Sequence, residues 1–210
     1  MTITTENLIN ILSQPPQPAK PYGFLLAMSG ITLASLSLTV LLLGLRQDLG
    51  SVLSWLTMLQ KTMLLSSVFL IAFLALRREA RPVAMPAPLW QKILLPAAFS
   101  AAFIFDIAFI PSSAMDTHFL VKRFLFCFAC VSLYGVAGMY ALVKLMRLYA
   151  PADTKRAGML IGFAAAAAAA IGYSVHCPVD HPLFVLFAYG LPVVALAWAG
   201  QKIAPRYINW

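Results

Sequence analysis

A chain of 210 residues with 61% apolar and only 10% charged residues is not a soluble domain, in which charged residues run at roughly 25%. Mean hydropathy is +0.85, and the apolar residues fall in runs near the roughly 20 residues that cross a bilayer, so the chain reads as an integral membrane protein. The formal charge of +8 sits mainly between those runs, which makes it a topology signal; with no basic patch on a soluble fold, no direct nucleic-acid contact is expected.

Residues 1–21 precede the first run and form a cytoplasmic segment outside the bilayer. No charged region, short apolar core and cleavage site open it, so no signal peptide is expected. Thr4 or Thr5 caps a short helix with Glu6 in its first turn, and Leu8, Ile9, Ile11 and Leu12 make one apolar stripe. Pro15, Pro16, Pro18 and Pro21 end the helix and stiffen the spacer. So short a helix is marginal in water; the lipid surface orders it or, in the preferred reading, a protein partner does.

Residues 22–203 hold six expected spans, giving an all-α membrane protein of six transmembrane helices. The first runs about Tyr22–Leu45 and closes at Arg46-Gln47-Asp48; the second, about Leu53–Leu76, ends in Arg77-Arg78-Glu79-Ala80-Arg81-Pro82. The third covers about Leu89–Ile110 and breaks at Pro111. A loop through Asp116 and His118 leads by Lys122-Arg123 into the fourth, about Phe124–Met146. The fifth, about Ala157–Val175, carries the alanine run Ala164–Ala170 with Gly158, Gly162 and Gly172, the small-residue pattern that lets helices approach closely, so it is expected at the centre. The sixth is about Leu183–Gln201, and residues 204–210 form a cytoplasmic tail.

Six spans put both ends on one side. The loops there gather Lys20, Arg77, Arg78, Arg81, Lys92, Lys144, Arg147, Lys155, Arg156, Lys202 and Arg206, eleven basic residues against three (Arg46, Lys122, Arg123) opposite. Short cytoplasmic loops carry the excess of Lys and Arg, so both termini are expected in the cytoplasm of a bacterium with the protein in its inner membrane. Two ionisable residues stay inside the bilayer, Lys61 and Asp106. Such charges usually face a partner or water, so either the two form an ion pair between the second and third spans or each snorkels to the surface.

The densest polar cluster is His176-Cys177-Pro178-Val179-Asp180-His181, on the outer, periplasmic side between two apolar spans. Cys127 and Cys130 stand near the outer end of the fourth span, on neighbouring positions of one helix face. A periplasm is oxidising, so thiols there form disulfides or report oxidants and soft metals. Cys130 is deeper and reads as a small apolar filler, whereas Cys177 lies in a wet loop beside His176 and Asp180 and reads as functional. His176, Cys177 and His181, helped by Asp116 or His118, are candidate metal ligands by type, although their spacing matches no standard signature. Cys127 and Cys130 have the spacing of a redox pair, without the soluble surroundings such pairs have. No Gly-rich phosphate loop, paired catalytic carboxylates or nucleophile triad is present, so an enzyme is not expected.

These residues carry a resemblance. His176-Cys177-Pro178 with Asp180, Pro182-Leu183-Phe184-Val185, Tyr189-Gly190 and Pro205-Arg206 before Trp210 resemble the C-terminal motif of the NrsF family, polytopic inner-membrane anti-sigma factors of extracytoplasmic-function sigma factors. Weaker matches are Thr5-Glu6-Asn7-Leu8-Ile9 with Pro15 and Pro18, Leu43-Gly44-Leu45-Arg46-Gln47-Asp48-Leu49, Trp55 with Lys61, and Ala150-Pro151. The family pattern places one Cys near the start of the fourth span and one after His at the end of the fifth. The second maps onto Cys177; the first maps onto Cys127 or Cys130, and the distance to Ala150-Pro151 favours Cys127. The chain departs from the pattern at Gly135 and Gly138, where the family has a small-residue and proline bend, and at Ala188, where a Trp is usual.

The resemblance implies a membrane anti-sigma factor whose outward cysteines, Cys127 and Cys177, with Cys130, His176, Asp180 and His181 as auxiliaries, sense metal or oxidative stress and release an extracytoplasmic-function sigma factor. The N-terminal stripe and Arg77, Arg78 and Arg81 would meet the acidic sigma factor. No cofactor is expected beyond transient soft-metal binding at the cysteines. Other classes remain: a small-solute or metal transporter, and a membrane thiol-disulfide oxidoreductase.

Overall fold

The computed structural model describes residues 23–48, 50–80, 117–149, 151 and 153–208. Among the described residues are five helices and no strand: α1 (Gly23–Leu43), α2 (Val52–Glu79), α3 (Thr117–Met146), α4 (Thr154–Ser174) and α5 (Pro182–Ile208). Each is long and apolar enough to cross a membrane. The expected N-terminal helix with Leu8, Ile9, Ile11 and Leu12, the expected third span, and Arg81, Asp106 and Asp116 lie outside the described residues.

Two helix boundaries differ from the hydropathy reading. α3 opens at Thr117, so Lys122 and Arg123 lie inside the helix and not in front of it. α5 runs through Pro205 to Ile208, where the span was expected to end near Gln201. Hydropathy marks where polarity begins, not where helical hydrogen bonding stops. The last two turns of α5 are held by packing, with Ala204 and Ile208 buried in one cluster with Met146, Ala157 and Ile161.

The small-residue run puts α4 at the axis. It packs against all four other helices, and Ala164–Ala170 are completely buried. Glycines set the closest approaches: a Cβ on Gly162 would run into the backbone of Leu196 and Ala197 in α5, one on Gly158 into the Gly200 carbonyl, and one on Gly172 into Ser35 and Leu36 of α1. In lipid such backbone proximity supplies the dispersion contacts that hold helices together. Large apolar side chains such as Leu33, Leu41, Leu56, Val194 and Trp198 are exposed around the outside, an exterior compatible with a membrane setting.

The helix ends fall into two layers. At one, α1 and α4 finish and α2, α3 and α5 begin. Gly44, in the left-handed region at φ +77°, ends α1 with its N–H on the Val40 carbonyl at 3.1 Å, a conformation glycine takes without steric cost. Ser51 caps α2 through the Ser54 N–H at 3.1 Å. At the opposite layer Asp153 caps α4, accepting the N–H groups of Lys155 and Arg156, each at 3.0 Å. Arg156 also pairs with Glu79 at the end of α2, at 2.8 Å, and Arg147 donates to the Tyr207 carbonyl. Asp153→Ala is expected to cost about 1 kcal/mol, the usual value of a lost N-cap, seen as a lower melting temperature in detergent.

Candidate functional site: a buried thiol pair beside a charge cluster

At the layer where α4 ends, the chain turns through Val175–His181 and folds this loop back onto the bundle. The Arg46 N–H donates to the Val175 carbonyl at 3.3 Å, and His176 Nδ1 lies 3.0 Å from the Gly44 carbonyl, so the end of α1 and the end of α4 are tied by one backbone bond and one imidazole contact. Cys177 points inward and is 1% exposed; Cys127, from the third turn of α3, is 0% exposed. Their Sγ atoms are 3.4 Å apart, and all three cysteines are free thiols. The Tyr173 hydroxyl donates to Cys127 Sγ at 3.3 Å. The Tyr189 hydroxyl is buried next to Cys177. Cys130 is half-buried at the edge of this cluster. The structure therefore brings Cys177 to Cys127.

A second group of side chains braces the loop. Asp180 accepts from Arg46 at 2.9 and 3.2 Å, from Lys61 at 2.7 Å and from the Thr57 hydroxyl at 2.8 Å. Lys61 Nζ also donates to the Cys177 carbonyl at 2.8 Å and lies 6.0 Å from the centre of the Tyr189 ring. Arg46 uses its remaining edge on Asp48, with two contacts of 2.6 Å. Arg46 and Lys61 are 5% and 3% exposed, so both cations are taken out of water and depend on Asp180 and Asp48 for compensation. The guanidinium beside Asp48 holds that carboxyl below the usual carboxylate range, and its own pKa is raised by the same bond. The hydrogen bond from Cys127, with the Lys61 ammonium behind it, holds the Cys177 thiol below its ordinary value against the opposing effect of burial.

Lys61, expected from the sequence to pair with Asp106 or to snorkel, is in the described part of the structure paired with Asp180. Arg46, Asp48 and Thr57 had no place in the sequence-based site. The one available signal was spacing: Arg46-Gln47-Asp48 and Asp180 are the charged residues of two loops on the same side of the bundle. His181 is half-buried and His176 is turned to the α1 terminus. Among the described residues no three His, Cys, Asp or Glu side chains converge on a point that would hold a metal ion. Arg77 is exposed and Arg78 half-buried at the far end of α2, a whole span away from the thiols.

Two buried thiols in contact can lose two protons and two electrons to form a disulfide, or share a soft cation as thiolates. Comparison with known proteins adds the family. A model described as negative regulator of sigma F, NrsF, matches residues 11–210. A curated protein of Azospira oryzae (strain ATCC BAA-33 / DSM 13638 / PS), called probable anti-sigma-F factor NrsF, is 26% identical over 98% of this chain and 99% of its own length. No solved structure matches. A family match over nearly the whole chain, including both cysteines of the buried pair, settles the kinship: this chain belongs to the NrsF family of negative regulators of sigma F.

Proposed function

We propose that the protein is a membrane-embedded anti-sigma factor that holds an extracytoplasmic-function sigma factor at the cytoplasmic face of the bacterial inner membrane and releases it when Cys127 and Cys177, on the periplasmic face, are oxidised to a disulfide or bridged by a soft metal. The observation that carries this reading is the 3.4 Å contact between two buried thiols at one end of the bundle. The basic residues Arg77, Arg78, Lys144, Arg147, Lys155, Arg156, Lys202 and Arg206 are grouped toward the other. That asymmetry supports a cytoplasmic side away from the cysteines. It also supports six crossings: α2 leaves the cysteine layer and ends at the Arg156 layer, while α3 starts again at the cysteine layer. A return between them would be the sixth crossing, and the apolar stretch Leu89–Ile110 suits it by composition. Both termini then share the cytoplasmic side, where Leu8, Ile9, Ile11 and Leu12 would meet the sigma factor with Arg77, Arg78 and Arg81.

α4 offers the physical link. It is capped by Asp153 in the layer read as facing the cytoplasm, and its other end, Ser174, leads through Val175 into His176-Cys177. A transporter would need polar groups spaced through the bilayer, whereas the buried ionic groups described here gather at one end. The test is affinity purification of the solubilised protein from native membranes, together with target-gene expression in cells. A sigma factor is expected with the wild type and not after deletion of Met1–Lys20, and Cys127→Ser/Cys177→Ser is expected to leave the target genes off under metal or oxidant. Recovery of a quinone or a stoichiometric metal with no sigma factor would replace this reading by the oxidoreductase or the transporter.

A further inference from the structure

The thiol pair is held in a particular backbone frame, and the residues that hold it are neither cysteines nor part of any metal set. In the dithiol form the sulfurs rest 3.4 Å apart, whereas a disulfide needs about 2 Å. The sulfurs close that gap either by rotating on fixed backbones or by the loop 175–181 moving toward α3. The second route is braced. Lys61, in the third turn of α2, donates at 2.8 Å to the carbonyl of Cys177 itself and pairs at 2.7 Å with Asp180 three residues on. Asp180 is also gripped by Arg46 and by the Thr57 hydroxyl, and the Arg46 side chain reaches the Pro178 carbonyl at 3.4 Å. Every one of these bonds anchors the Cys177 loop to α1 or α2, and none anchors it to α3, which carries Cys127.

We infer that Lys61 and Asp180 are positioning residues that set the redox threshold of the Cys127–Cys177 pair by bracing the loop in its dithiol geometry. The inference rests on the thiol-switch reading above and adds to it which groups decide how strong an oxidant is needed. Oxidation by a disulfide such as oxidised glutathione is balanced as two protein thiols plus one glutathione disulfide giving one protein disulfide plus two reduced glutathiones. Whatever the bracing contributes to the dithiol state is lost when the loop moves, so it counts against the disulfide and raises the potential of the couple. Loosening the brace makes the pair easier to oxidise.

The test uses the full-length protein in lipid nanodiscs, with Cys130→Ser to remove the third thiol. Samples are equilibrated in mixtures of reduced and oxidised glutathione, and the Cys127–Cys177 linkage is counted by differential alkylation and mass spectrometry. Lys61→Met keeps the apolar stem and leaves Asp180 paired with Arg46. It is expected to raise the equilibrium constant for oxidation about tenfold, a potential lower by about 30 mV. Thr57→Val, which deletes one hydrogen bond and no charge, is expected to move it in the same direction by about threefold and serves if Lys61→Met does not fold. A merely structural role lowers the melting temperature of both variants and leaves the potential where it was, which overturns the inference while the switch reading stands. A wild-type pair that forms no disulfide in any mixture overturns the inference together with the disulfide form of the switch, leaving only the metal-bridged form.

Discussion

Asp180→Asn is expected to destabilise the protein by about 3–5 kcal/mol, the penalty for removing one side of a buried ion cluster. The carboxylate is the meeting point of Arg46, Lys61 and Thr57. Asparagine replaces it in shape but not in charge. Arg46 would keep Asp48, but Lys61, 3% exposed, would be left with the Cys177 carbonyl and no counter-charge. The check is unfolding in detergent by heat or by denaturant, read from tryptophan fluorescence. A double-mutant cycle sharpens it: Asp180→Asn/Lys61→Met removes the orphaned cation along with its partner, so the double variant should lose less than the sum of the singles, in contrast to distant sites, whose effects add. Full additivity would mean that the pair does not interact. The exposed part of the cluster has a pH signature. Asp48 has a depressed folded pKa, so its contribution is present above the unfolded carboxylate value near about 4. It is lost as pH falls through the lower folded value.

Gly162→Val is the second large effect, expected to cost about 1–3 kcal/mol or more through overpacking. The atoms that a side chain at this position would meet belong to the backbone of Leu196 and Ala197 in α5, which has no rotamer to give. α4 and α5 would have to separate, along the most extensive contact in the bundle. Two comparisons isolate the cause. At Gly135 the first obstacle is the tip of the Leu196 side chain, which can turn away, so Gly135→Ala should cost less. At Gly30 a Cβ meets nothing within 4 Å, and Gly30→Ala should be neutral or slightly stabilising, since alanine favours a helix by about 1 kcal/mol over glycine. Melting temperatures ordered Gly30→Ala, Gly135→Ala, Gly162→Val from highest to lowest are the expected result.

Much of this was legible in the chain, for identifiable reasons. Five apolar runs announced the five described helices because hydrocarbon demands an apolar exterior along the whole length of a span. The alanine and glycine content of α4 announced its central place because only small residues pack on every side at once. Cys177 stood out as a thiol in a polar loop, and the distance to Ala150-Pro151 favoured Cys127 over Cys130 as its counterpart in the family pattern; those are the two sulfurs in contact. The Asp180 contact of Lys61 was not legible. Depth arguments compare residues along straight spans and suggested Asp106, which lies outside the described residues, whereas Asp180 reaches Lys61 because the loop after α4 folds back over the bundle. Arg46 was hidden for a similar reason. It looked like a residue that counts toward loop charge, and in the structure it is buried and bonded to two carboxylates.

The seven consecutive alanines of α4, all without solvent exposure, impose a one-sided mutational constraint. A core of leucines is damaged chiefly by substitutions that leave cavities. An axis of alanines offers no such substitution beyond glycine, so nearly every replacement there adds volume to a space already full. Drift along this helix can proceed only by compensation: each enlargement needs a matching reduction on α1, α2, α3 or α5. Tolerated variants should therefore come as pairs, small-to-large on the axis and large-to-small on the rim.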